Sequence, residues 1–241
     1  MRYLKISCGF GILFAGAICA WADSALDVQD EAIIERYVSA RSEQQITLRG
    51  VQMEVDIDAR IPKLKKFGKL HALRNISKVG KITYRMLGFT GDDTVKKDVI
   101  GRFLTAEVQA QSGQDLSITP VNYKFKYKGS RDVGGRNTYV FHVSPRKKSV
   151  GLFKGELWLD VETYMPVRES GRFVKSPSIF FKKMEFVRTY ELQQGIAVPQ
   201  RIDSMVDTRI VGPVELSISF SNLAKTVEPD SMSPAVAAGT E

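Results

Sequence analysis

The chain predicts a mainly β protein with two helices. In this α+β fold a strongly curved antiparallel sheet forms an open, incomplete barrel under a helical lid. Three observations carry that expectation. Val51, Met53, Val55, Ile57, Ala59 and Ile61 alternate with polar residues, the period of a strand with one buried and one wet face. From Val121 to Leu223, short alternating runs follow one another with turn signals between them, as in an antiparallel meander. Leu26–Gln45 and Thr94–Gln111 instead carry apolar residues at helical spacing. A sheet with one apolar face must cover it, and two helices across the mouth of the barrel do so.

In chain order, residues 1–22 read as a secretory signal peptide cut after Ala22. Met1–Lys5 is basic, Ile6–Ala20 is unbroken apolar or small, and Ala20-Trp21-Ala22 sets small residues at the −3 and −1 positions. The run is shorter than the about 20 apolar residues of a membrane span. Both cysteines, Cys8 and Cys19, fall inside it, so the exported chain has no disulfide, no zinc–cysteine site and no thiol nucleophile. The formal charge is +8 at pH 7, of which Arg2 and Lys5 leave with the signal. An exported basic protein rarely meets nucleic acid. Its remaining partners are anionic lipid head groups or acidic polypeptides, and solubility alone also accounts for the charge.

Residues 23–223 then form a single domain. Ala32, Ile33, Tyr37, Val38 and Ala40 give the first helix its apolar side. The strand Val51–Ile61 is followed by a basic connection, Pro62–Lys69, and by a pair of strands, His71–Ile76 and Lys78–Phe89. Asp92-Asp93 opens the second helix, with Val95, Val99, Phe103 and Ala106 on one side. In the meander, Tyr123, Phe125 and Tyr127 alternate with Lys124, Lys126 and Lys128. Gly134-Gly135 turns the chain into Tyr139, Phe141 and Val143. Phe153, Gly155, Leu157 and Leu159 form the next apolar face, and Asp160–Thr163 is a turn. Met165–Val174, Phe180–Leu192, Ile196–Ile210 and Val214–Leu223 complete the set. Ser178–Phe181 is either the start of a strand or an exposed apolar rim. Residues 224–241 are polar and carry prolines, as a disordered tail does.

Catalytic signatures are missing. His71 and His142 lie far apart, and no nucleophile elbow or phosphate-binding glycine loop occurs. Asp56 and Asp58 share a wet strand face, and Asp92-Asp93 adjoin a helix start. The expectation is no enzyme, no metal and no cofactor.

Trp158, Asp160, Thr163 and Pro166 fit a W-x-D-x-x-T-x-x-P hairpin, flanked by Tyr139–Arg146, Gly195–Ile202 and Ile218–Leu223. With the order of elements, these segments resemble the LolA/LolB-like outer-membrane lipoprotein-sorting proteins and the related RseB/MucB regulatory domain. Residues 23–135 match only in pattern. The resemblance implies an open barrel of about eleven strands with a helical lid, in the periplasm, holding acyl chains in its cavity. The ligand would be an acylated lipoprotein or a lipid, bound without covalent chemistry at about 0.8 kcal/mol per buried methylene. The lining would come from Val51, Met53, Val55, Ile57, Phe141, Leu157, Leu159, Ile218 and Phe220, with Phe103 and Leu104 from the lid. A filled core explains each of these residues equally well. Lys63, Lys65, Lys66 and Lys69 are candidates for contact with an anionic membrane surface or with an inner- or outer-membrane partner protein. The alternative is an envelope sensor of the same fold that binds a lipidated or misfolded ligand and a membrane partner.

Overall fold

The structure, a computed structural model, describes residues 28–111, 115–176, 179–193 and 196–226. The expected signal peptide, residues 1–22, and the segment after residue 226 lie outside the described residues. The elements are α1 (Val28–Thr47), β1 (Val51–Ile61), a 3-10 turn (Pro62–Leu64), β2 (Lys66–Ile76) and β3 (Ile82–Gly91). A π-helical stretch (Val95–Gly101) continues as α2 (Arg102–Gln111). Then come β4 (Tyr123–Val133), β5 (Arg136–Pro145), β6 (Phe153–Asp160), β7 (Pro166–Phe173), β8 (Phe181–Gln193), β9 (Ile196–Thr208) and β10 (Pro213–Lys225).

The ten strands make one antiparallel sheet in the order β3-β2-β1-β10-β9-β8-β7-β6-β5-β4. Consecutive strands are neighbours except where β10 returns to pair with β1. The sheet does not close: β3 and β4 are its edges. The open α+β architecture expected from the sequence is therefore present, with ten described strands where the resemblance implied about eleven.

β1 has the expected bounds, and its odd residues from Val51 to Ile61 are all buried. Three local expectations change. Lys66–Lys69 is strand and not connection: Gly68 and Leu70 are buried and pair with Gly91 and Phe89 of β3. A glycine at an inward position had hidden the alternation. The second helix begins as π-helix, whose wider turn brings Val95, Val99 and Ile100 together onto the sheet. β10 runs through Lys225, paired with Val51, two residues into the expected tail. Ile179 is exposed in the turn before β8, while Phe180 is half-buried under the Arg102 guanidinium, 3.6 Å from its ring centre.

The W-x-D-x-x-T-x-x-P hairpin has a local physical cause. One oxygen of Asp160 accepts the Glu162 and Thr163 amides at 3.1 and 2.8 Å and the Thr163 hydroxyl at 2.9 Å. Thr163 Oγ1 accepts the Met165 amide, Tyr164 takes a left-handed conformation at φ 58°, and Pro166 opens β7. Trp158 Nε1 donates to Glu156 two residues back. The motif is a self-satisfied turn. Its Tyr164 stacks on Tyr139 and accepts a 2.6 Å hydrogen bond from Arg36 of α1, so the turn also fixes a helix.

Gly155 and Gly171 face each other across β6 and β7 beneath Phe153, Phe173 and Phe186, whose rings meet at 5.0 Å. A Cβ at Gly155 would collide with the Ser170 carbonyl oxygen and lie 2.5 Å from Gly171 Cα. Gly155→Ala is expected to cost about 2–3 kcal/mol through backbone displacement. Gly88→Ala, which meets nothing within 4 Å, is expected to stay within about 0.5 kcal/mol of the parent. Urea unfolding midpoints of the two variants check this.

Candidate functional site

The inward face of the sheet carries two large apolar clusters, each under one helix, and a small third one of Met165, Tyr190 and Ala197 against Ala40 of α1. The first gathers Met53, Val55, Ile57, Leu70, Leu216 and Ile218 under Val95, Val99 and Ile100, with Phe103, Leu104 and Phe220 packed against it. The second gathers Phe141, Val143, Leu157, Leu159 and Phe186 under Ile33, Ile34 and Tyr37 of α1. The expected lining residues thus divide between two compartments. Val51 is buried at the end of β1, outside both. Phe173 and Ile202 border both clusters.

Between the clusters runs a polar seam that sequence reading missed. Glu169 of β7 is 1% exposed. It accepts Arg188 Nη1 at 2.9 Å and the Tyr190 hydroxyl at 2.8 Å. Tyr37 and Arg41, one turn apart on α1, sit in the field of Glu169 and Tyr190. On the α2 side, Glu107 accepts the Tyr84 hydroxyl at 2.6 Å and Arg74 Nη2 at 3.5 Å. Arg74 Nε also donates to Tyr84 at 3.1 Å. Burial opposes the Arg188 charge, yet Tyr190, Glu169 and Glu107 of α2 together hold it protonated. Three arginines and two glutamates therefore stand on an otherwise apolar face, Glu169 buried and Arg188 and Glu107 partly exposed. The signal was present in strand parity: Glu169 shares its face with Phe173, and Arg188 and Tyr190 continue the run Met184-Phe186.

The helices are otherwise held at points. Gln44 of α1 is buried and exchanges two hydrogen bonds with the Ala197 backbone, at 2.8 and 3.0 Å. Where the π-helix begins, Lys66 bonds Asp92 and Thr94. Buried ion pairs add little net stability over an apolar equivalent, but they fix position. A lid seated partly on charges that water can solvate is cheaper to lift than one seated on apolar surface alone.

The basic cluster of the β1–β2 connection is dispersed. Lys66 is engaged with Asp92, and Lys69 pairs with Asp58 at 3.2 Å. Lys63 and Lys65 stay on the turn, where Lys65 is left-handed at φ 53°. On the outward face, a groove of about 1050 Å³ runs over β1, β2 and β8–β10, lined by Asp56, Asp58, Arg60, His71, Arg201 and Asp203. Asp56 meets His71 at 2.9 Å. Among the described residues, no group of three or more His, Cys, Asp or Glu is placed to hold a metal, and no helix is long and apolar enough to cross a membrane.

No protein-family profile matches the chain, and no curated protein does. Solved structures are similar at low identity. A DUF1329 family protein from Desulfovibrio piger is 16% identical over 82% of this chain and 93% of its own, with a TM-score of 0.48. A putative outer membrane lipoprotein-sorting protein domain from Vibrio parahaemolyticus is 12% identical over 80% and 92%, with a TM-score of 0.43. A LolA superfamily protein from Nitrosomonas europaea is 13% identical over 86% and 96%, with a TM-score of 0.41.

Two outcomes test the seam. Glu169→Ala leaves Arg188 and Tyr190 without their buried acceptor and is expected to cost about 3 kcal/mol. The double variant Glu169→Met with Arg188→Met should lose less, as denaturant unfolding will show. Burial, with Glu169 adding to it, pushes the Tyr190 hydroxyl up to about 12, and burial pushes Tyr123 up to about 12 as well. Tyr37 and Tyr84 are raised too. A raised folded value stabilises below the unfolded value of about 10 and is lost as pH rises through it. Unfolding midpoints should therefore hold to about pH 10 and fall between pH 10 and 12. Tyrosinate absorbance of the buried rings should rise together with unfolding.

Proposed function

We propose that this protein is a periplasmic carrier. It takes the acyl chains of a lipid or lipoprotein, without covalent chemistry, into the apolar face beneath its two helices. The observation that carries this reading is the construction of the cover. Two separate helices shield the two main apolar clusters, and each is bordered by ionic groups of the sheet: Glu169 and Tyr190 beside α1, Arg74 and Tyr84 against Glu107 of α2. A helix lifted from the seam exposes a continuous wall that includes Met53, Val55, Ile57 and Ile218 on one side and Phe141, Leu157 and Leu159 on the other. Phe103 and Leu104 leave with the α2 side. A chain inserted there replaces apolar contacts with apolar contacts, and each methylene removed from water contributes about 0.8 kcal/mol. Acids and bases arranged for covalent catalysis have no place in this account. The signal-like amino terminus and the hairpin resemblance support an envelope location.

A second reading, an envelope sensor, is favoured by one feature, the outward groove, whose size suits an extended peptide. Lys63 and Lys65 on the β1–β2 turn would serve contact with a partner protein in either case.

Native mass spectrometry of the protein purified from its own envelope decides. The carrier reading expects a bound acyl species, released by organic extraction and taken up again from a fluorescent fatty acid. An empty protein that takes up no acyl probe contradicts it. A stoichiometric protein partner on such an empty protein points to the sensor.

A further inference from the structure

The outward face of the sheet is divided by charge. Over β1, β2 and β8–β10 four of its carboxylates are paired with cations: Asp56 with His71, Asp58 with Lys69 and Arg60, Asp203 with Arg201, and Glu185 with Lys183. Over β4–β7 the balance is different. Lys124, Lys126 and Lys128 point outward, opposite Tyr123, Phe125 and Tyr127, and all three are exposed. Lys126 pairs across the ladder with His142 of β5, and exposed Lys154 of β6 pairs with Arg172 of β7. Arg131 and Arg168 lie 5.6 and 5.4 Å from the Trp158 ring centre.

The acids of these strands are held by local hydrogen bonds, and Asp132 accepts the Gly135 amide. Glu156 accepts the Trp158 indole N–H, and Asp160 accepts its own turn amides and faces Arg136 at 3.9 Å. Among the described residues, none of Lys124, Lys126, Lys128 and Lys154 is paired with a carboxylate. The His142 imidazole registers the result. Burial, and then Lys154, Lys128 and Lys126, hold it below its ordinary value against the single opposing Glu156.

Lysines on an edge strand also deter strand addition. That accounts for β4 but not for the continuation of the patch through His142 and Lys154 onto inner strands. The patch is broad, roughly 10 by 14 Å from strand spacing and rise. Its centre is built from the flexible point charges of four lysines, which select no single phosphate or carboxylate geometry.

We propose that the outward face of β4–β6 docks the protein on an anionic lipid surface, with Lys124, Lys126, Lys128 and Lys154 toward the head groups. The half bearing the groove then lies at the far side of the same face. This inference does not depend on what the inward face holds.

The test is binding of the full exported chain to phosphatidylcholine vesicles with and without phosphatidylglycerol. Binding is expected only with phosphatidylglycerol and falls with salt. Lys124→Gln with Lys126→Gln and Lys128→Gln should weaken it on the order of 100-fold, at roughly fivefold per lysine near such a surface. Lys63→Gln with Lys65→Gln should change it little. These are exposed side chains, and unchanged unfolding midpoints confirm that the variants fold. The chain has two histidines, one in each half of the face. On phosphatidylglycerol vesicles the His142 ring resonances should move and its titration should shift upward, while the His71 resonances stay in place. Equal binding without phosphatidylglycerol, a triple variant that binds like the parent, an equal loss from the Lys63 and Lys65 change, or an unmoved His142 would each overturn the proposal. Binding to polyglutamate but not to the vesicles would also overturn it, in favour of an acidic protein partner.

Discussion

The structure depends on one constraint: a ten-stranded open sheet has a single apolar face, and that face must be kept from water. A closed barrel would hide it within itself. Here β3 and β4 remain apart, so covering the inward face falls to α1 and to the π-helix with α2. Neither helix spans all ten strands. The core therefore forms as two main clusters, one beneath each helix, joined at Phe173 and Ile202, with a small third beside Tyr190.

That division explains the charges inside. Neither helix seals its whole border on the sheet by apolar packing. The residues at that border need partners of their own. Glu169, Arg188 and Tyr190 supply them on the α1 side, and Glu107, Arg74 and Tyr84 on the α2 side. Such groups are costly to bury singly and near neutral when paired, so the seam contributes position more than stability. It also gives the cover a place where water can enter without exposing hydrocarbon. A lid that moves requires this, and a permanently filled core does not.

Most of the fold was legible from the chain because the strands follow period two. Val51–Ile61 could be read to the residue, and β5, β6 and β10 nearly so. Legibility failed where an inward position was not apolar. Gly68 is buried within β2, yet it broke the pattern and turned Lys66–Lys69 into an apparent connection. Glu169, Arg188 and Arg74 occupy inward positions and read as ordinary polar residues of the wet face. Strand parity carried the signal for Glu169 and Arg188, and the register, which sets Glu169 against Leu157 and Arg188, shows that they share one inward site. The apolar lining residues were the reverse case. Their burial was evident from the sequence, but their division between two clusters depends on helix placement, which no local pattern encodes. The four lysines of the connection read as one patch, whereas pairing with Asp92 and Asp58 removes Lys66 and Lys69 from it.

The central claim is that α1 and α2 lift from the seam while the sheet stays intact. Native-state hydrogen exchange resolved by residue tests it most directly. The account expects α1 and α2 amides to exchange through local opening at a much lower free energy than β1, β6 and β10. It also expects Glu107→Gln to speed exchange in α2 without changing those strands. Exchange of helices and strands together, in one cooperative step and at the global unfolding free energy, would contradict it and identify the interior as a fixed core.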